Sequence, residues 1–229
     1  VCRSAYPDAR HWLVLCGHGN NGGDGYVVAR LAKAIGIDVT LLAQESDKPL
    51  PEEAALAREA WLNAGGEIHA SNIVWPESVD LIVDALLGTG LQQAPRESIS
   101  QLIDHANTHP APIVAVDIPS GLLAETGATP GAVINADHTI TFIALKPGLL
   151  TGKARDVTGQ LHFDSLGLDS WLAGQETKIQ RFSAEQLSQW LIPRRPTSHK
   201  GDHGKLVIIG GAGIGAFIVG NNGKAIKGT

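Results

Sequence analysis

Three short runs carry residue types from which a site can be built: Gly17-His18-Gly19-Asn20-Asn21-Gly22-Gly23-Asp24-Gly25, Asp84 through Gly88-Thr89-Gly90, and Asp117-Ile118-Pro119-Ser120-Gly121. Each couples a carboxylate with glycines or a hydroxyl. The first contains G-x-G-x-x-G at Gly17, Gly19 and Gly22. Such glycines let backbone approach a phosphate closely, helped by the N-terminus of a following helix. A tight turn that needs positive φ explains a bare motif equally well, but Asn20, Asn21 and Asp24 add polar side chains inside the loop. Asp84 and Asp117 each end an apolar run, where an aspartate can simply cap the next turn. Taken together with Ser120 they form an oxygen-rich set of the kind that suits hard cations.

Other chemistries find less support. A dehydrogenase would want an acidic residue about 20 residues beyond the glycine motif to hold a ribose. Glu45 is a loose candidate, but Gly23-Asp24-Gly25 lengthens the loop and no separate substrate domain with a catalytic histidine is evident. The nine histidines are scattered without H-E-x-x-H, and no C-x-x-C occurs, so a zinc site is not expected. No G-x-S-x-G elbow is present either. A formal net charge of −5 offers no broad basic surface for nucleic acid or anionic membrane, and no run reaches the roughly 20 apolar residues of a membrane span. The two cysteines, Cys2 and Cys16, read as free thiols in a reducing compartment, so a cytoplasmic location is expected. Val1-Cys2-Arg3-Ser4 lacks a signal-peptide pattern, and with no Met anywhere the native N-terminus is expected to lie upstream.

The elements that must position these runs follow from period and punctuation. His11 to Cys16, Val39 to Ala43, Leu81 to Asp84, Ile113 to Asp117, His138 to Ala144 and Gln160 to Phe163 read as strands. Helical spacing begins at Tyr26 and continues to Ala34, a second helix opens at Pro51-Glu52-Glu53 and stops at Gly65-Gly66, and a third runs from Ile99 to Ala106. Near-continuous apolar strands alternating with helices predict a mostly parallel sheet covered on both faces, a Rossmann-like three-layer α/β/α domain over residues 1–175. Ligands then bind at the carboxyl ends of the strands, where all three runs lie. Ser183 to Trp190 reads as a short helix and Pro193-Arg194-Arg195-Pro196 as a solvated linker, within a connection over residues 176–199. Lys205 to Ile209 reads as a strand running into Gly210-Gly211-Ala212-Gly213, the start of a second nucleotide-binding domain.

Cys16 to Tyr26, Val83-Asp84-Ala85-Leu86-Leu87-Gly88-Thr89-Gly90, Val116-Asp117-Ile118-Pro119-Ser120-Gly121 and Leu145-Lys146-Pro147-Gly148 together resemble the YjeF N-terminal family, whose enzymes are NAD(P)H-hydrate epimerases. The likeness covers residues 11 to about 168. It implies interconversion of the R and S forms of the hydrated cofactors NADHX and NADPHX. By motif, the substrate would be bound by Asn20, Asn21, Gly22, Gly23 and Asp24, by Gly88, Thr89, Gly90, Leu91, Gln92, Gln93 and Ala94, and by Asp117. Potassium would be held by Asn21, Asp84 and Ser120. Asp117 is the choice for proton transfer, with Lys146 as electrostatic helper, although a strand-end lysine is as often solvated. Lys200 to Gly210 is similar to the opening of an ADP-dependent hydrate dehydratase domain, which is fused behind the epimerase in bacterial bifunctional repair proteins. Residues 200–229 would then be a fragment of that ribokinase-like domain, which when complete uses ADP or ATP with Mg2+. Two departures stand: Ala212 to Thr229 is a glycine-rich run without the expected alanine-rich helix, and the family's N-terminal helical segment is missing before Val1. The expected partners are the small-molecule hydrates and, in a homo-oligomer, further copies of the chain. Two other functions compete, a non-catalytic nucleotide-binding scaffold and an NAD-dependent dehydrogenase.

Overall fold

In the computed structural model, the described residues are 1–175 apart from Ile73 and Glu77, together with Glu185, Pro196, Thr197 and the strand residues 207–211, 214–219 and 225–226. The chain divides into two units, Val1–Glu176 and Thr177–Thr229.

The first unit is built on seven strands: β1 (His11–Cys16), β2 (Asp38–Ala43), β3 (His69–Ala70), β4 (Leu81–Ala85), β5 (Ile113–Val116), β6 (His138–Phe142) and β7 (Gln160–Asp164). They lie in the order β3-β2-β1-β4-β5-β6-β7 and every neighbouring pair is parallel. Sequence β1 to β3 builds outward to one side, and β4 then returns to pair with β1, Trp12 against Leu81 through Cys16 against Ala85. The β1/β4 boundary is therefore the topological switch point, where such sheets bind ligands.

Both faces of the sheet are covered, which explains why β1 is apolar without a break. Trp12, Val14 and Cys16 pack on one side with Tyr26, Ala29 and Trp61. Leu13 and Leu15 face the other way, onto Ile99, Leu102 and Ile103. The period of two along the strand thus feeds two cores. The first core is closed by α2 (Asn20–Ala34) and α3 (Glu52–Asn63), the second by α4 (Glu97–Thr108). Among the described residues no helix is long and apolar enough to cross a membrane.

Several boundaries differ from the sequence reading. Helix α2 begins at Asn20, six residues before Tyr26, so most of the glycine run is helical. None of its glycines has positive φ. Their reason is proximity: a Cβ on Gly17 would stand 1.7 Å from the Leu86 carbonyl oxygen, one on Gly22 2.0 Å from that of Gly17, and one on Gly25 2.6 Å from the Cys16 sulfur. The β5 strand stops at Val116, because Asp117 turns to φ 67, and β6 stops at Phe142, because Ile143 does the same. The short elements α1 (Cys2–Ala5) and β3, the 3₁₀ turn Pro147–Leu149, α5 (Ala154–Val157) and α6 (Asp169–Leu172) gave no periodic signal.

In the second unit, β8 (Val207–Gly211) pairs antiparallel with β9 (Ile214–Val219), and β9 with β10 (Ala225–Ile226). The strand expected at Lys205 to Ile209 is thus described from Val207 and continues to Gly211. The helix expected over Ser183 to Trp190 lies outside the described residues except for Glu185, which is helical, as does the Pro193–Pro196 linker except for Pro196.

Because the helix start is wedged against two strand ends, Gly17→Ala should overpack backbone against backbone and cost about 3 kcal/mol. Gly19→Ser adds its side chain where nothing lies within 4 Å and supplies a capping hydroxyl, so it should change stability by less than about 0.5 kcal/mol. Urea unfolding of the two variants measures the contrast, and equal stabilities would remove the proximity argument.

Candidate functional site

The three runs singled out above end or follow β1, β4 and β5, which are adjacent in the sheet. They enclose a cleft of about 570 Å³. One wall is the start of α2, with Asn20, Asn21 and Asp24; the other is Leu86 to Leu91; Asp117 lies between. At this position the first N–H groups of α2 have no intrahelical acceptor.

Beneath the cleft, Asp84 and Ser120 are both 0% exposed. The Ser120 hydroxyl donates to Asp84 Oδ1 at 2.6 Å and its backbone N–H to Oδ2 at 2.8 Å, while the Leu86 N–H donates to Oδ1 at 3.2 Å. The Leu87 N–H in turn donates to Ser120 Oγ at 2.8 Å. Asn21, 8% exposed, donates through Nδ2 to the Leu87 carbonyl at 3.0 Å. Gly88 makes room for it, since a Cβ there would lie 3.1 Å from Asn21 Cβ. Asn21, Asp84 and Ser120 are thus gathered around one turn.

All of Asp84's donors are neutral. Burial pushes its carboxyl up to about 6, with the Ser120 and Leu86 hydrogen bonds pulling the other way. A buried carboxylate without a basic partner, next to amide, hydroxyl and carbonyl oxygens, fits a hard cation of low charge that supplies the missing counter-charge. Asn21, Asp84 and Ser120 offer oxygens and no thiolate or imidazole, which is not the donor set of a soft transition metal.

Asp117 and Lys146 form the second charged centre, an ion pair with side chains 18% and 17% exposed. Asp117 Oδ1 also accepts from the Thr141 hydroxyl and the Phe142 N–H, each at 3.2 Å. Lys146 Nζ donates to Thr141 Oγ1 and to the Phe142 carbonyl, each at 2.9 Å. This geometry depends on two backbone excursions. Asp117 at φ 67 swings its carboxylate toward β6, and Ile143 at φ 67 reverses the chain so that Lys146 comes back over the strand end. A β-branched residue there costs on the order of 1–3 kcal/mol, offset by the Ile143 N–H bond to Asp164 O at 2.9 Å and that of Ala144 to Phe142 O at 2.7 Å. Asp24 stands on the exposed rim, yet the protein around its carboxyl raises its pKa, Asp117's like charge adds to the rise, and Lys146 opposes it.

Not every expected residue reaches the cleft. Gly22 and Gly23 turn their open sides to Gly17 and Ala54, so they space the helix. Gln92, Gln93 and Ala94 lie outside the cleft wall, and Ala94 packs against Gly131. Thr141 and Gln44 were missed, and His18 lay inside the first run without an assigned role. Thr141 is fully buried in β6, where a hydroxyl on an inward position is the readable sign; Gln44 directly follows β2.

Residues 1–148 match the family described as YjeF-related protein N-terminus. The chain belongs to this family. Among its YjeF-related relatives, the bifunctional NAD(P)H-hydrate repair enzyme Nnr of Escherichia coli (strain K12) is 97% identical over 211 residues, covering 92% of this chain and 41% of that protein. The bifunctional NAD(P)H-hydrate repair enzyme of Leishmania braziliensis is 49% identical over 229 residues, covering 96% and 41%. The chain therefore spans 41% of the length of these curated relatives. The crystal structure of yeast ynu0, YNL200c, aligns at a TM-score of 0.57 and 23% identity over 71% of each chain, which is a likeness of fold.

Asp84 generates a pH prediction. Its folded pKa, about 6, exceeds the ordinary 3.8, so between these values the unfolded chain releases its proton first and Asp84's contribution to stability falls as pH rises. The Ser120 hydroxyl limits that loss by bonding to the ionised form. Ser120→Ala should therefore cost about 1–3 kcal/mol at pH 7.5 and less at pH 4.5. Urea unfolding in choline buffer reads the difference; a penalty independent of pH would show that the hydroxyl does not bear on the charge.

Proposed function

We propose that residues 1–175 form an NAD(P)H-hydrate epimerase that interconverts the C6 epimers of NADHX and NADPHX, and that residues 200–229 begin a second, ADP-dependent dehydratase domain. The observation that carries the reading is the Asp117–Lys146 pair beside a switch-point cleft, walled by Asn20, Asn21, Asp24 and Gly88 to Leu91. Family membership and the names of the two long relatives support it.

Epimerisation needs proton transfer and no net oxidation. The C6–OH bond breaks as the hydroxyl oxygen takes a proton and leaves as water, the ring nitrogen supplying electrons. Water then adds to the opposite face and gives a proton back. Asp117 and Lys146 share the mobile proton for both half-steps. Asp117 Oδ1 is held by three donors, whereas Oδ2 accepts no hydrogen bond among the described residues and is the atom turned over to the substrate. The first turn of α2 would take the pyrophosphate, and Gly88 to Leu91 would close over the ring. Potassium would be held by Asn21, Asp84 and Ser120, where it supplies positive charge that fixes the loops on both walls. ADP or ATP with Mg2+ belongs to the complete second domain.

Asp117→Asn preserves size and removes proton transfer. A rate loss of about 10²–10⁴ is expected, with a modest change in hydrate affinity. Chromatography of the two epimers as they approach equilibrium measures it. A wild-type rate in the variant would move the proton to Lys146 or Asp24, and no acceleration by the native chain would overturn the reading.

Potassium should raise the unfolding midpoint, relative to choline, at pH 7.5. At pH 4.5 Asp84 holds a proton instead, so the gain should largely vanish. A potassium effect of equal size at both pH values, or none at either, would remove the ion from Asp84.

A further inference from the structure

A second cleft, of about 430 Å³, lies over Gly17, Ala43 and Ala70, at the ends of β1, β2 and β3. It shares His18 and Gln44 with the first cleft, so the two are continuous across the carboxyl edge of the sheet. Nothing in the proposed reaction uses it, yet its chemistry is marked. Tyr26, 2% exposed, lines it together with Arg58 from α3. Lys48 comes from the loop after β2, and Glu45 is the sole carboxylate among the lining residues. Two cationic side chains against one carboxylate give this lining a positive balance on a chain whose formal net charge is −5.

In a doubly wound sheet, a dinucleotide lays its pyrophosphate on the first helix N-terminus and its nucleoside halves on either side of the switch point. With the hydrated ring at Asp117 and the pyrophosphate at the start of α2, the other half must pass His18 and Gln44. It then arrives in the second cleft, which is large enough for a nucleoside. We infer that this cleft receives the adenosine half of the dinucleotide and that Arg58, with Lys48, binds a phosphate on the ribose 2′ oxygen. The placement of the ring rests on the epimerase reading. Arg58 presents a planar fork of donors suited to phosphate, and Lys48 adds a mobile charge. Arg58 and Lys48 thereby favour the hydrate that carries the 2′-phosphate over the one that lacks it.

The test uses the 229-residue chain and two probes that differ only at the 2′ position, adenosine 2′,5′-bisphosphate and 5′-AMP. Calorimetry should show the bisphosphate bound about tenfold more tightly. Arg58→Gln should erase most of that preference. It should also raise KM for NADPHX about tenfold more than KM for NADHX. Lys153→Gln, which removes the same charge away from the cleft, should keep the preference. Equal affinity of the native chain for both probes, or an unchanged preference in Arg58→Gln, would overturn the assignment. An Arg58-dependent preference without any epimerisation would leave the phosphate site standing and overturn the epimerase reading instead.

Discussion

The site depends on one close approach of backbone to backbone. Gly17, leaving β1, meets the Leu86 carbonyl, leaving β4, with no room for a side chain between them. Gly22 then lies against the Gly17 carbonyl, and Gly25 against Cys16 and Ala85. These contacts start α2 directly in the crook between two strand ends. Had the helix begun at Tyr26, Asn20, Asn21 and Asp24 would belong to a loose loop. Instead they are set at helical spacing on the cleft side, and Asn21 reaches across to the Leu87 carbonyl.

Within that frame the two strand-end aspartates meet opposite environments. Asp84 is sealed from water and surrounded by neutral donors, which makes its charge costly and the position receptive to a cation. Asp117, one strand over, is partly exposed and paired with an ammonium group. A reaction that needs both an ordered binding loop and a movable proton benefits from keeping those roles on different carboxylates. Ser120 belongs to the first of these centres while sitting three residues from the second, so a shift in the β5 loop would disturb both at once.

Much of this was legible because burial on both faces forces strands to read as unbroken apolar runs, as in Trp12-Leu13-Val14-Leu15 and Leu81-Ile82-Val83. The position of α2 was not, because glycine is a poor helix former and tertiary packing, invisible in a linear pattern, overrides that preference. The positive φ values of Asp117 and Ile143 were equally hidden. Aspartate tolerates that region and isoleucine avoids it, so nothing in Phe142-Ile143-Ala144 announces a reversal. The consequence for the site was large, since the reversal is what turns Lys146 from a solvated strand-end residue into the partner of Asp117. Gln92 to Ala94 follow Leu91 in the motif but are not among the residues that wall the cleft.

Both clefts and both charged centres are made of residues numbered 120 or below except for Thr141, Phe142 and Lys146, and all of them belong to the unit Val1–Glu176. The residues assigned to the proposed epimerisation therefore lie within that unit. The same holds for selectivity: Arg58 sits on α3, in the β1-to-β3 half of the sheet, while the proton pair sits in the half that begins with β4. In the proposed reading, recognition of the cofactor's far end and chemistry at its near end fall to different halves of one doubly wound domain, joined at the Gly17–Leu86 contact. On that reading a change at Arg58 would alter which hydrate binds without touching Asp117, the carboxylate proposed to move the proton, and a change at Gly17 would disturb both.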